Sequence, residues 1–237
     1  MRDTDAISPQ AYARACGWLY LVTMVGGIFA LFVGSKLLVL GDASATAKNI
    51  LTSEQLFRFG FAGNLIADLS YVAVTVLLYL LLKPVNRNIS LLAAFFSLAG
   101  CAVGASDAVA HLAALELVKG ADYLKAIGPA ELQALARFAL RVDAYATEVG
   151  LVFFGVYCIL IGYLIFGSGY LPKIIGALLM VGGLCYEINS FMGFLAPAVK
   201  VPMTVLAISG IAELSLCLWL IVMGVNVAKW RPNPATS

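Results

Sequence analysis

Charge is scarce in this sequence. Only 12% of its 237 residues are Asp, Glu, Lys or Arg, against 62% that are hydrophobic. A soluble domain carries about 25% charged residues, and a water-exposed globule this poor in charge would show apolar patches large enough to aggregate. The net charge of +2 is too small to mark a nucleic-acid partner. Histidine occurs once, as His111. That excludes a bis-histidine haem within one chain and leaves any zinc site dependent on carboxylates, an atypical donor set for that metal. The sequence contains no Gly-x-Ser-x-Gly elbow, Walker loop, Rossmann glycine pattern or His-Glu-x-x-His, and no cofactor is expected. The five cysteines, Cys16, Cys101, Cys158, Cys185 and Cys217, are scattered singly. Such spacing fits small buried hydrophobes rather than disulfides or a thiolate-bound metal.

Long apolar runs are abundant. Six of them, over 17–40, 57–82, 89–117, 142–166, 171–196 and 203–228, are each long enough to cross about 30 Å of hydrocarbon at ~1.5 Å per residue. A membrane-spanning chain must satisfy its backbone internally, so it is built of helices or a closed barrel. Barrel strands would show alternating segments of about ten residues, and these runs are uninterrupted. The expectation is an all-α fold: one transmembrane domain over 1–237 with about six spans. The first run exceeds the core of about 7–15 apolar residues in a secretory signal. It reads as an uncleaved helix, with Ala43-Ser44-Ala45 a weak imitation of a cleavage site.

The punctuation is clear. Lys83-Pro84-Val85-Asn86-Arg87-Asn88 closes the second run, Gly167 to Lys173 separates the fourth from the fifth, Pro197 to Pro202 the fifth from the sixth, and Pro232 and Pro234 mark a polar tail. Two connections are longer. The one over 41–56 holds Thr52-Ser53-Glu54-Gln55, a capping-box pattern that would start the second helix. The one over 119–141 holds Gly128-Pro129, a helix start. It is followed by Leu132, Leu135, Ala136 and Ala139 opposite Gln133, Arg137 and Arg141, the pattern of an interfacial segment running into the fourth span. Cations divide almost evenly between the two sides. The two tight connections are both basic and free of acids, which favours cytoplasmic termini.

Functional signal resides in polar groups within the runs. A charge at a helix centre costs about 2.5–3.5 kcal/mol on insertion scales and is expected to face protein. Asp68 and Asn64 lie in the second run, Asp107 and His111 in the third, Glu187 and Asn189 in the fifth, and Glu213 in the sixth; Glu148 is nearer a helix end. Counted from the loops, Asp68, Glu187 and Glu213 fall at mid-depth, and Asp107, His111 and Glu148 in the non-cytoplasmic half. The set would converge on one cavity open to that side. Asp107 and His111 share a face with Gly100 and Gly104, where small residues allow close helix approach, and at i, i+4 the two side chains can meet. The central acids face a single potential cation, His111. Full ionisation in so poor a solvent is too costly to persist. Some acids are then protonated, or hydrogen-bonded to Asn64, Ser70, Asn189, Ser215 or tyrosines such as Tyr71 and Tyr186, or a cation binds. Two short matches hint at a parallel repeat: Ile66-Ala67-Asp68-Leu69-Ser70 with Ile211-Ala212-Glu213-Leu214-Ser215, and Met24-Val25-Gly26-Gly27 with Met180-Val181-Gly182-Gly183. Repeats of this kind occur in transporters.

Several stretches resemble a large bacterial family known only as domain of unknown function 4386. They include Ala13-Arg14-Ala15-Cys16-Gly17-Trp18-Leu19-Tyr20-Leu21, Gly26 to Ala30, Gly41-Asp42-Ala43 with Asn49-Ile50-Leu51, Leu56 to Gly60, Leu81 to Arg87, and Leu164 to Lys173. The resemblance covers most of the chain. It implies a bacterial inner-membrane protein of about six helices, no particular activity, and no catalytic residues to carry over.

The expected function is therefore non-catalytic: a multi-pass protein whose mid-membrane acids take a cation, a proton or a small solute, for transport or ligand binding. Assembly with itself or a partner, with the polar groups as interhelical glue, is the competing non-catalytic reading. The alternative from another class is a membrane-embedded enzyme, with or without a metal, using Asp107 and His111 on a lipid-like substrate.

Overall fold

A computed structural model describes residues 8–230; the side chain of Asp107, together with Arg2, Pro232 and Pro234, lies outside the described residues. Seven α-helices and one 3₁₀ turn are found among them: α1 Pro9–Leu37, α2 Ala43–Thr52, α3 Glu54–Leu82, α4 Arg87–Lys119, the turn Asp122–Leu124, α5 Pro129–Ser168, α6 Lys173–Leu195 and α7 Met203–Val222. Six of them, all but α2, are long and apolar enough to cross a membrane. Their outward faces support that setting. Val25, Ile28, Leu31 and Phe32 on α1 are each at least half exposed, which in water would be a patch of the size that drives association. All five cysteines are buried, and none is joined in a disulfide among the described residues.

Helix ends follow local chemistry more than apolar content, and the spans differ accordingly from those expected. Residues 9–16, ahead of the first run, belong to α1, because Ser8 and Pro9 form a helix start: the Ser8 hydroxyl accepts the amide of Ala11 at 3.2 Å, and proline fits the first helical position. The connection over 41–56 contains a helix that its composition concealed. Asp42 caps α2 by accepting the amide of Ala45 at 2.8 Å, and the chain breaks only at Ser53 before α3 begins at Glu54. Gly128-Pro129 starts a helix as expected, and α5 runs unbroken for 40 residues. At about 1.5 Å per residue that is roughly 60 Å, twice the hydrocarbon thickness. In the first turns of α5, Leu132, Ala136 and Leu140 are buried, while Leu135 is 42% exposed. Leu132 and Ala136 of the apolar stripe are thus covered by protein, while Leu135 faces outward.

The last span ends at Val222, not 228. Gly224 adopts φ +68°, the left-handed conformation that terminates helices. The side chain of Gln10 then clamps the exit. Its Nε2 donates to the Met223 carbonyl at 3.0 Å and its Oε1 accepts the Val225 amide at 3.0 Å. A side chain on residue 224 would collide with this amide. Beyond it, the Trp230 indole and the Tyr170 hydroxyl both donate to the carbonyl of Leu81, at 3.1 and 2.6 Å. Gln10→Ala removes two hydrogen bonds at once. It should lower the stability of the detergent-purified protein by about 1–2 kcal/mol, read as thermal unfolding, at roughly 1 kcal/mol per bond.

By internal contacts the chain forms two compact units: Met1–Leu21, Ser70–Cys101 and Val149–Ser237 in the first, Val22–Leu69 and Ala102–Glu148 in the second. The helices α1, α3, α4 and α5 each contribute residues to both. The first unit buries Leu78, Leu81, Leu164, Ile165, Leu179 and Leu220. The second has a core of Val33, Leu37, Ile50, Phe57, Leu115 and Leu140, so α2, through Ile50, packs on the spans.

Candidate functional site

In the first unit, α7 buries Ala212, Glu213, Leu216, Cys217 and Leu220 along one face and exposes Ile211, Leu214 and Leu218 on the other. This pattern turns Glu213 inward, leaving it 9% exposed. Two tyrosines from other helices meet it. Tyr20 of α1 donates to Oε2 at 2.8 Å and Tyr186 of α6 donates to Oε1 at 2.5 Å. Tyr71 of α3 stands edge-on to Tyr20, with ring centroids 5.5 Å apart, and Tyr157 of α5 stands edge-on to Tyr71 at 5.9 Å. The hydroxyls of Tyr71 and Tyr157 are buried without a hydrogen bond of good geometry to any described residue. Among the described residues neither oxygen of Glu213 meets a cation. The ion pairs among the described residues are Glu54 with Arg58 and Lys119, and Asp122 with Lys125. The arrangement is one buried acid, two phenolic donors committed to it, and two more hydroxyls nearby with lone pairs to offer.

The other expected site residues are distributed as follows. Glu187 and Asn189 share the first unit with Glu213. Glu187 lies against Gly155 of α5, where any side chain would collide with it, and its Oε1 is buried without a partner; Asn189 is half-buried on α6. Asn64, Asp68, Asp107, His111 and Glu148 belong to the second unit. Both carboxylate oxygens of Asp68 lie 3.5 Å from where a Cβ on Gly104 would stand, so the small-residue face of α4 is covered by protein at that point. Gly100, on the same face, packs on Phe154 and the Gly150 carbonyl. Glu148 Oε2 is buried without a partner, and Asn64 is half-buried.

The expected meeting of Asp107 with His111 involves a side chain outside the described residues. His111 instead leans on α3: its ring stacks on Phe57, with centroids 3.9 Å apart and planes at 17°, it hydrogen-bonds the backbone of Phe57, and a tilted Phe61 lies 6.0 Å away. Its Nε2 is buried and unpaired. Among the described residues no three His, Cys, Asp or Glu side chains are grouped to hold a metal. Phenylalanine would keep the stack and remove an unpaired polar atom, whose burial costs about 1–3 kcal/mol, which outweighs the roughly 1 kcal/mol of the hydrogen bond it gives up to the Phe57 backbone. His111→Phe should therefore unfold at or above the wild-type temperature, whereas Phe57→Ala, which empties a core position, should cost about 3–5 kcal/mol.

The two short sequence matches correspond to matching contacts. A Cβ on Gly26 would lie 3.1 Å from Ala67 Cβ, and one on Gly182 would lie 3.2 Å from Ala212 Cβ. In each case the alanine precedes an acid, Asp68 or Glu213. The pairs α1–α3 and α6–α7 thus approach each other at equivalent residues.

Sequence reasoning named Tyr71 and Tyr186 as hydrogen-bond candidates but missed Tyr20 and Tyr157. A signal was available. Membrane tyrosines favour the headgroup belts, and a tyrosine deep inside an apolar run needs a partner for its hydroxyl.

Fold and composition together define an all-α polytopic membrane protein with six candidate spans. The chain belongs to the family described as domain of unknown function (DUF4386), whose model matches residues 15–224. An uncharacterized protein of Archaeoglobus fulgidus is 28% identical over 163 residues, which cover 69% of this chain and 82% of that one. No solved structure matches the chain.

Proposed function

We propose that this protein is a non-catalytic multi-pass membrane protein whose acid at Glu213 takes up a proton or a small cation, for ligand binding or transport. One observation carries the reading: Glu213 is buried between two tyrosine donors with no basic partner among the described residues. Placing a charge at mid-membrane costs about 2.5–3.5 kcal/mol, and hydrogen bonds to a charged group return about 1.5–3 kcal/mol each. The two terms are of similar size, so the charged form is only marginally supported and a proton or cation decides the balance. The hydroxyls of Tyr71 and Tyr157, held by no hydrogen bond of good geometry to a described residue, supply the oxygen donors a small hard cation requires. The equivalent contacts of α1–α3 and α6–α7 support an internal parallel repeat, an architecture that transporters use, and they make Asp68 the counterpart of Glu213.

We place the protein in a cytoplasmic membrane, the bacterial inner membrane expected from the sequence, with both termini inside. The two short connections, around Lys83 and Lys173, are basic and without acids, and an even number of spans returns the chain to its starting side.

Thermal unfolding in detergent tests the site. The midpoint of the wild-type protein should shift with pH or with at least one of Li⁺, Na⁺, K⁺ and Mg²⁺, and Glu213→Gln should abolish the shift. A wild-type midpoint indifferent to all of these counts against the proposal.

A further inference from the structure

Where α1 leaves the apolar region, the second unit carries a groove between the end of α1, one face of α2 and the first turn of α3. Two lysines line it, Lys36 from the last turn of α1 and Lys48 from α2. Neither takes part in an ion pair among the described residues. The nearby acid, Glu54, is already engaged by Arg58 at 2.8 Å and Lys119 at 3.1 Å. The groove therefore holds two uncompensated positive charges, with the hydroxyls of Thr52 and Ser53 beside them and the apolar side chains of Leu37 and Leu56 in its wall. Lys36 is laid along it, its Nζ 5.6 Å from the centre of the Phe32 ring.

Directly along the helix from Lys36 runs an exposed apolar stripe: Phe32, Phe29, Ile28 and Val25, with exposures of 50, 37, 64 and 59%. Spacings of three and four keep these residues and Lys36 on one face of α1. A single surface thus offers an apolar track at membrane depth that ends at two unpaired cations, where the span meets the headgroup layer. An amphiphile with an acyl chain and an anionic head matches both parts, and a free anion matches only one. With the N-terminus inside, the groove faces the non-cytoplasmic leaflet, and there the attraction of two unpaired lysines for a phosphodiester is set by charge complementarity.

We propose that this groove is a binding site for an anionic phospholipid, its phosphodiester between Lys36 and Lys48 and one acyl chain along Val25, Ile28, Phe29 and Phe32. The site is separate from Glu213 and does not depend on the function proposed for that residue.

The test is native mass spectrometry of the full chain released from detergent micelles doped with phosphatidylglycerol, with phosphatidylcholine of identical chains, or with inorganic phosphate. Phosphatidylglycerol should remain bound at least ten times more often than phosphatidylcholine, and phosphate alone should not be retained. The double variant Lys36→Gln/Lys48→Gln should lose that preference while its helical circular dichroism is unchanged, and Lys125→Gln should keep it. Equal retention of the two lipids, retention of phosphate alone to the same extent, or a double variant that binds like wild type would each overturn the assignment.

Discussion

Gly176→Ala is expected to be among the most destabilising single-methyl additions in the described chain. A Cβ at Gly176 would stand 2.6 Å from the carbonyl oxygen of Gly162 and 2.7 Å from the amide nitrogen of Phe166. A Cβ at Gly162 would stand 2.5 Å from the carbonyl of Gly176. Both obstacles are backbone, so no side-chain rotation relieves them and α5 and α6 must separate. A second close approach of the same pair lies seven residues along, where a Cβ at Gly183 would come 2.5 Å from the Gly155 carbonyl. Seven residues is two helical turns, so the glycines on each helix form one seam on which antiparallel neighbours approach at backbone distance. Overpacking costs about 1–3 kcal/mol where side chains can yield, and the loss at Gly176 should reach or exceed the upper end. The control is Gly34→Ala, on a helix with nothing within 4 Å of the new methyl. There the substitution should be neutral, or stabilising by up to about 1 kcal/mol through helix propensity. Thermal unfolding of the two variants side by side checks the contrast.

The second large effect concerns the tyrosines around Glu213. Tyr20→Phe and Tyr186→Phe each remove one donor and leave the rings in place. With both removed, Glu213 keeps its burial and loses both described partners. An unsatisfied buried group costs about 1–3 kcal/mol, more when charged, so the double variant should lose about 3–5 kcal/mol. Adding Glu213→Leu to it should recover most of the loss, because removing a stranded buried group is restorative even where breaking its pairing was damaging. The unfolding energies of the single, double and triple variants form a cycle that isolates the coupling. A triple variant no more stable than the double would mean that the tyrosines act through packing alone.

The spans were legible because lipid imposes length: an uninterrupted run of about 18 or more apolar residues rarely serves any purpose but crossing a bilayer. The helix ends were less so. Ser8-Pro9, Asp42 and Gly224 set boundaries by capping and left-handed geometry, and an apolar count passes over all three. Glu213 was legible from its charge alone, since an acid amid apolar residues must find company. Its company was only half legible. Tyr186 lies in the same apolar region as other marked polar residues, but nothing local tells Tyr20, 193 positions away, that it faces Glu213; that follows from how helices rotate about their axes. The same limit applied to His111. Its i, i+4 relation to Asp107 was visible along the chain, while its stack on Phe57 depends on a different helix.

Infrared spectroscopy addresses Glu213 most directly. The carboxyl band present in wild-type protein and missing from Glu213→Gln reports whether that side chain is protonated, ionised or cation-bound. It should change when pH is varied over the range in which the protein stays folded, or when a small cation is added. A Glu213 band that stays the same at every such pH and with every cation would show an acid locked in one state, and the proposed site would then be a structural hydrogen bond and nothing more.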